Sequence, residues 1–529
     1  MTAPNPGFMQ DYALTVDRFL EHGARWHGAA RVITAAGEDG DVSLGYADLR
    51  ERANRLSGAL LDLGLKPGDR IATLAWNTQH HVEVWYAAMG AGIVCHTLNP
   101  RLTVAHLAAM VAKADDRVLA VGSGLRDMAE ALLDACPSLE RLILLDGETP
   151  EAGRPEILEL EPLLAERGRP ATWGDFDEQS LAGLCFTSGT TGAPKGVAYT
   201  HRSNYLHTLR ALQADSIALT ADDTVLVAVP MFHANAWGLP FAAPAVGAQL
   251  VLPGRVTDGA SLARLIERHQ VTVAVGVPTV WLGLLDHLDA TGGQTPSLQR
   301  IIIGGSTCPD SLLKRMESRL GATVQTSWGM TELSPLGAIS PRTDKPGAAR
   351  GSGRPPLGLD LLLTDADNIP LPDQRNAVGH LKVKGQSVVN RYFGADAPAV
   401  DAEGWFDTGD LASLDDAGNL TLAGRSKDLI KSGGEWINPV EIEEIIGALP
   451  SVGLVAVIGR ADPRWGERPL MIIEPARGQD PDDAALKATL KGQVADWWIP
   501  ERIVRVEAMP LAATGKINKT LLRATYGGA

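Results

Sequence analysis

The chain has 529 residues, 45% of them hydrophobic and 21% charged, which is enough apolar material for several folding units and too much for a disordered chain. Its 48 basic residues against 63 acidic ones leave a net charge of −15, which argues against a dedicated nucleic-acid binder because that role needs a basic field. The four cysteines, Cys95, Cys136, Cys185 and Cys308, form no CxxC pair, so neither a zinc knuckle nor a disulfide framework is expected, and reduced thiols in a cytoplasmic setting are.

The segment from Met1 to Asp11 has neither a basic nor an apolar block, so no secretory signal is read there. Tyr46, Leu49, Ala53, Leu56 and Leu60 recur at three and four residues and predict an amphipathic helix that stops at Leu63-Gly64. Lys66-Pro67-Gly68-Asp69 is a turn, and Arg70 to Trp76 reads as a buried strand. Helical patterns over 81–89 and 103–114 alternate with apolar runs at Val118–Val121 and Leu142–Leu145. Strands alternating with helices predict an α/β fold with a largely parallel sheet.

The rhythm returns with strands at 224–229, 271–275 and 300–303 and a helix over 260–268. Thr224 to Gly254 carries no formal charge and is long enough to span a bilayer, yet Pro230, Pro240, Pro244 and Pro253 forbid a continuous helix. It is read as protein interior. From about residue 350 short strands and Gly, Pro and Asp-rich turns predict a β-rich subdomain. The last hundred residues read as a small α+β module, with a helix from Pro439, strands at 452–458, 469–473 and 502–506, and a helix over 482–498.

The strongest chemical signal is an apolar strand, Leu184-Cys185-Phe186, that runs into Thr187-Ser188-Gly189-Thr190-Thr191-Gly192-Ala193-Pro194-Lys195-Gly196. Glycines let the backbone approach a polyphosphate, hydroxyls donate hydrogen bonds, and the lysine adds a positive charge. Where a Walker A loop needs Gly-Lys-Ser/Thr, this chain has Pro194-Lys195-Gly196, so that motif is not met.

That loop resembles the phosphate loop of the adenylate-forming superfamily of acyl-CoA synthetases, luciferases and peptide-synthetase adenylation domains. Further family motifs follow in order: Phe232-His233, Trp328-Gly329-Met330-Thr331-Glu332, Gly404 to Asp410, Gly424-Arg425-Ser426-Lys427-Asp428 and Thr514-Gly515-Lys516. The resemblance implies that a carboxylate attacks the α-phosphate of ATP to give acyl-AMP and pyrophosphate, after which the thiol of coenzyme A displaces AMP. It implies catalytic roles for Lys516, Glu332, Thr331 and His233, with Thr187 and Glu332 holding Mg²⁺ and Thr331 touching the α-phosphate. Ser188, Gly189, Thr190, Thr191, Gly192 and Lys195 would cradle the phosphates. Gly304, Gly305, Ser306, Gly329 and Met330 would line the nucleotide, Trp328 would stack on adenine where the family has tyrosine, and Asp410 with Arg425 would hold the ribose.

The resemblance also implies an N-terminal adenylation domain over 1–424, a hinge at 425–428 pivoting on Lys427, and a C-terminal lid domain over 429–529 that carries Lys516. Gly433-Gly434-Glu435-Trp436 resembles the loop lining the pantetheine tunnel. His233, Asn235 and Trp237 would line the acyl site, because Val229 to Gly238 resembles the gate of medium- and long-chain fatty acid–CoA ligases. Its apolar setting suits an aliphatic tail. Ligases of 3-(methylthio)propanoate share the look of this gate and of Met330 to Gly337, so that acid is the alternative substrate. Two other readings are an acyl-AMP ligase that does not use coenzyme A and a non-catalytic nucleotide-binding scaffold. A homodimer is left open.

Overall fold

A computed structural model describes residues 9–10, 12–36, 40–147, 156–187, 194–306, 308–342, 351–433, 435–512 and 516–528. The expectations for Ser188 to Gly192, Gly434 and Thr514-Gly515 fall outside the described residues.

The large lobe is built on two mainly parallel sheets. One has seven strands, in the spatial order Ile157–Glu159, Arg141–Leu144, Val118–Val121, Arg70–Leu74, Val94–Thr97, Leu181–Thr187 and Lys195–Thr200. All its pairings are parallel except the last, where Leu181–Thr187 and Lys195–Thr200 run antiparallel and put Thr187 opposite Lys195. The other has eight strands, with a parallel centre made by Thr323–Gly329, Arg300–Ile303, Val273–Gly276, Thr224–Val227, Gln249–Leu252 and Arg31–Thr34. Leu336–Ile339 and Val42–Gly45 close its two edges in antiparallel fashion.

What holds the two sheets together is legible in composition. Gln79–Gly90 is apolar nearly all round and buried throughout except at His80, as a helix enclosed on every side must be. Its start is fixed by Thr78, whose hydroxyl accepts from the His81 N–H. Trp85, Tyr86 and Phe241 of the helix Leu239–Val246 are essentially inaccessible, in one core that also takes in Ile71 and Cys95 of the first sheet and Val225 and Val273 of the second. Complete burial of a side chain such as Phe241 contributes about 1.5–3 kcal/mol. The uncharged stretch 224–254 is therefore interior, and no helix among the described residues is long and apolar enough to cross a membrane.

A third sheet, antiparallel, joins Leu359–Thr364, Val378–Gly385, Phe406–Leu414 and Leu420–Arg425. It matches the β-rich expectation, and Arg425, expected at the start of the hinge, instead ends its last strand, in register with Asp410. A short 3₁₀ turn, Ser426–Asp428, leads to the small module. There the hairpin Val452–Asp462 and Gly466–Pro475 pairs with Arg502–Arg505 and Ile430–Ser432, flanked by the helices Pro439–Gly447, Asp483–Leu490 and Lys519–Tyr526.

One expected element is wrong. The helix over 482–498 stops at Leu490, and Asp496–Trp498 is a separate 3₁₀ turn. Gly492 at φ +75°, together with a bridge between Lys491 and Val494, breaks it; the apolar spacing continues across this break, so periodicity did not reveal it.

Candidate active site

The site is a cleft whose walls come from the ends of strands and which Lys516 of the small module enters. The strand Thr323–Gly329 delivers Trp328, whose indole N–H donates to Asp410 Oδ2 at 2.9 Å. Asp410 Oδ1 pairs with Arg425 Nε at 2.8 Å, so both oxygens of a carboxylate only 3% exposed have partners. Burial pushes the Asp410 pKa up, against the pull of Arg425 and the indole N–H. Trp328 is itself 5% exposed and covers Gly337, where a Cβ would fall 2.4 Å from the ring.

Past Trp328 the chain enters the 3₁₀ turn Thr331–Leu333, and both Thr331 and Glu332 are buried. Tyr199 Oη donates to the Thr331 carbonyl at 2.9 Å, and Tyr392 Oη donates to Glu332 Oε1 at 3.0 Å. Arg210, on the helix His201–Ala211, donates to the carbonyls of Leu333 and Leu336 at 3.3 and 2.7 Å, fixing the far side of the turn. Motif reading missed Tyr199, Arg210 and Tyr392. Their spacing carries no pattern, because their partners lie more than a hundred residues away for two of them and 60 residues away for the third.

The phosphate-loop strands place Thr187 and Lys195 side by side, Thr187 Oγ1 donating to the Lys195 carbonyl at 3.4 Å. The exposed Lys195 ammonium lies 4.9 Å from the centroid of the Tyr392 ring. Gly304 and Gly305 follow the strand Arg300–Ile303, and Ser306 is exposed beside them. At Gly304 a Cβ would fall 2.5 Å from Ser327 Oγ and 2.9 Å from the rim of Trp237, so no larger residue fits between them.

The segment expected to form the gate is an unusual piece of backbone. Ala234, Asn235, Ala236 and Trp237 have φ of 44°, 53°, 47° and 56°, a left-handed turn ended by Gly238 at 78°. Left-handed geometry costs L-residues roughly 1–2 kcal/mol each, and such strain survives only where packing enforces it. Ala234, Asn235 and Ala236 are buried, and His207 lies where a Cβ on Gly238 would come within 3.0 Å. Asn235 Nδ2 donates to Asn204 Oδ1 at 3.3 Å, so this expected acyl-site residue turns toward the supporting helix.

The small module brings Lys516 into the cleft. Its Cε would lie 3.7 Å from a Cβ on Gly305, and its charge is felt by His233 and Asp410. Burial, then the Arg425 cation, push the Lys516 pKa down to about 8, while Asp410 and Glu332 pull it the other way. His233 is pushed down to about 4 by burial and by Lys516, so it is a neutral imidazole at physiological pH. The module also touches the large lobe where Ser311 Oγ donates to the Gly447 carbonyl at 3.2 Å, and Leu511 and Ala512 border a 490 Å³ opening with Trp76, Arg101, Phe232 and Arg255.

The structure therefore gathers Lys516, His233, Glu332, Asp410, Arg425 and the two glycines around one cleft. It does not bring the described residues of the expected tunnel loop, Gly433, Glu435 and Trp436, into that group. Gly433 packs on Trp465, Glu435 is exposed, and Trp436 is 52% exposed with Lys431 Nζ 5.4 Å from its ring. At the connection, Asp428 pairs with Arg523 at 2.7 Å, and burial lowers the pKa of Lys427.

With this geometry the comparisons agree along the chain. The model for the AMP-binding enzyme matches residues 19–393, and that for the AMP-binding enzyme C-terminal domain matches 441–516. The chain belongs to the AMP-binding enzyme family. A 3-methylmercaptopropionyl-CoA ligase of Ruegeria pomeroyi is 42% identical, covering 98% of both chains. A medium-chain-fatty-acid–CoA ligase of Ectopseudomonas oleovorans is 39% identical over 98% of this chain and 97% of its own. The crystal structure of an anthranilate CoA ligase with anthranoyl-AMP shares the fold, with a TM-score of 0.88 at 24% identity and 98% of each chain covered. This family member is an ATP-dependent acid–thiol ligase that works through AMP and coenzyme A.

Proposed function

We propose that the enzyme joins an aliphatic carboxylic acid of medium or long chain to coenzyme A through an acyl-adenylate held in this cleft. The carrying observation is Lys516, a cation from the small module inserted between Gly305 and the carboxylates of the large lobe. In the first half-reaction a carboxylate oxygen attacks the α-phosphorus of ATP, and the bond to the β-phosphate oxygen breaks to release pyrophosphate. Two anions must meet, so a cation placed between them stabilises the transition state more than either reactant. Lys516 supplies it, Thr331 donates to the α-phosphate, and Lys195 with the loop before it holds the leaving phosphates.

Trp328, Asp410 and Arg425 form one hydrogen-bonded unit that would fix adenine and ribose, with Ser306, Gly329 and Met330 completing the wall. Neutral His233 borders the acid without adding charge, and Trp237 closes the acyl side against Gly304. Magnesium fits this donor set. Glu332 keeps one carboxylate oxygen beyond the Tyr392 bond, and Thr187, the strand partner of Lys195, offers a hydroxyl. Glu332 and Thr187 would hold the ion. When bound, it would neutralise triphosphate charge.

In the second half-reaction the coenzyme A thiolate attacks the acyl carbonyl and AMP leaves. A pivot at Lys427 would withdraw Lys516 and present Gly433, Glu435 and Trp436 to the cleft; Trp436 is 52% exposed while Lys516 occupies it. A second reading is 3-methylmercaptopropionate as the acid, favoured by the 42% identical relative that carries that name. An assay of coenzyme A consumption with AMP and pyrophosphate release, across acids from propanoate to palmitate with 3-methylmercaptopropionate included, tests both readings. ADP as the stoichiometric product would overturn the mechanism, and a preference for the thioether acid would select the second substrate.

A further inference from the structure

Tyr392 lies between the two charged ends of the phosphate site and belongs to none of the motifs. Its hydroxyl holds Glu332 Oε1 at 3.0 Å, and its ring faces the Lys195 ammonium at 4.9 Å. The backbone around it is tied to both neighbours. The Val389 N–H donates to the Glu332 carbonyl at 2.8 Å, and the Phe393 N–H donates to the Gly196 carbonyl at 2.7 Å. Tyr199, on the same strand as Lys195, fixes only the backbone of the turn, at Thr331, which leaves the carboxylate direction to Tyr392.

Lys195 and Glu332 have opposite charge, yet among the described residues no salt bridge joins them. If they met, the incoming cation and triphosphate would have to separate a partly desolvated ion pair, and that is costly. Tyr392 contacts both without neutralising either: a neutral hydroxyl leaves the carboxylate its charge and its second oxygen, and a ring face holds an ammonium more loosely than a carboxylate would. We infer that Tyr392 is a positioning residue that keeps Glu332 and Lys195 apart and aimed, so that each meets the metal-bound triphosphate unpaired. This rests on the assignment of Glu332 to the metal.

The test uses the full-length enzyme with Tyr392→Phe, Tyr392→Leu and, as a control on that assignment, Glu332→Gln. Three quantities are read: the Mg²⁺ concentration for half-maximal pyrophosphate release, calorimetric binding of ATP with Mg²⁺ or with EDTA, and the thermal midpoint without ligands. Tyr392→Phe keeps the ring, so ATP binding in EDTA and the midpoint should hold while the Mg²⁺ requirement rises about tenfold, the equivalent of one hydrogen bond to a charged group. Tyr392→Leu should raise it at least as far and also weaken ATP binding in EDTA, because Lys195 is then free to pair with Glu332. A Tyr392→Phe enzyme with the parental Mg²⁺ requirement, while Glu332→Gln shifts it, overturns the inference and leaves the metal assignment standing. A uniform loss of midpoint, ATP binding and rate in both tyrosine variants also overturns it, by reducing Tyr392 to a packing role. An unchanged Mg²⁺ requirement in Glu332→Gln overturns the metal assignment itself.

Discussion

The cleft contains two buried charges prepared in opposite ways. Asp410 belongs to the large lobe, and both its oxygens are bonded, one to Trp328 and one to Arg425. Lys516 belongs to the small module, and among the described residues no carboxylate lies within salt-bridge distance of its ammonium. Asp410 is finished before any ligand arrives, as a wall should be. Lys516 is not; its charge is destabilised by burial and by Arg425, so an arriving anion gains what the free protein lacks. A fixed partner gives precision in binding, and a missing partner gives selectivity for a state that brings its own negative charge.

The largest consequence is expected at Lys516. Lys516→Ala should slow adenylation, read as pyrophosphate release, by roughly 10²- to 10³-fold, the scale of losing one preorganised charge stabiliser. Thioester formation from supplied acyl-AMP should be nearly unaffected, and equal loss in both half-reactions would break the contrast between Lys516 and Asp410. Asp410→Ala should act on stability as well as on nucleotide binding. It strands the Trp328 N–H and the Arg425 guanidinium and should lower unfolding free energy by about 1.5–3 kcal/mol in a denaturant titration, with Asp410→Asn losing less.

A pH profile sharpens the comparison further. The free-enzyme pKa of Lys516 is lowered to about 8, so kcat/KM for ATP should fall as the pH rises above 8, approaching tenfold per unit, and Lys516→Arg should remove that limb. The stability linkage has the opposite sign: the folded chain bears the penalty of a buried cation below pH 8, and it eases as the pH rises toward the ordinary 10.5. No limb should appear near pH 6.5 from His233, because its pKa is already down at about 4. The smallest effect is expected at the lobe contact. Ser311→Ala removes one hydrogen bond to the Gly447 carbonyl, and it should shift the adenylation rate by a factor of about two to five, with the thermal midpoint nearly constant.

Much of the fold was legible in the chain. The i, i+3, i+4 spacing from Tyr46 to Leu60 gave the helix Tyr46–Asp62, and the apolar runs gave the parallel strands, because periodicity records which faces are buried. The prolines of 224–254 correctly excluded a membrane span. Periodicity failed at Gly492, where backbone conformation, not hydrophobicity, ends the helix. In the site, the motifs located Lys516, Glu332, Asp410 and Arg425, since the chemistry demands those residue types at those places.

The residues that aim this chemistry were settled only by tertiary structure. Tyr199, Arg210 and Tyr392 are ordinary letters until the sheets bring them against the turn Thr331–Leu333, and the left-handed turn under Trp237 leaves no trace in an alanine-rich run. Composition and spacing are local properties, so the sequence by itself could declare which side chains carry charge and which faces are buried. Partner choice, distance and desolvation depend on segments far apart in the chain, and only their packing decided that Asp410 would be satisfied and Lys516 left wanting.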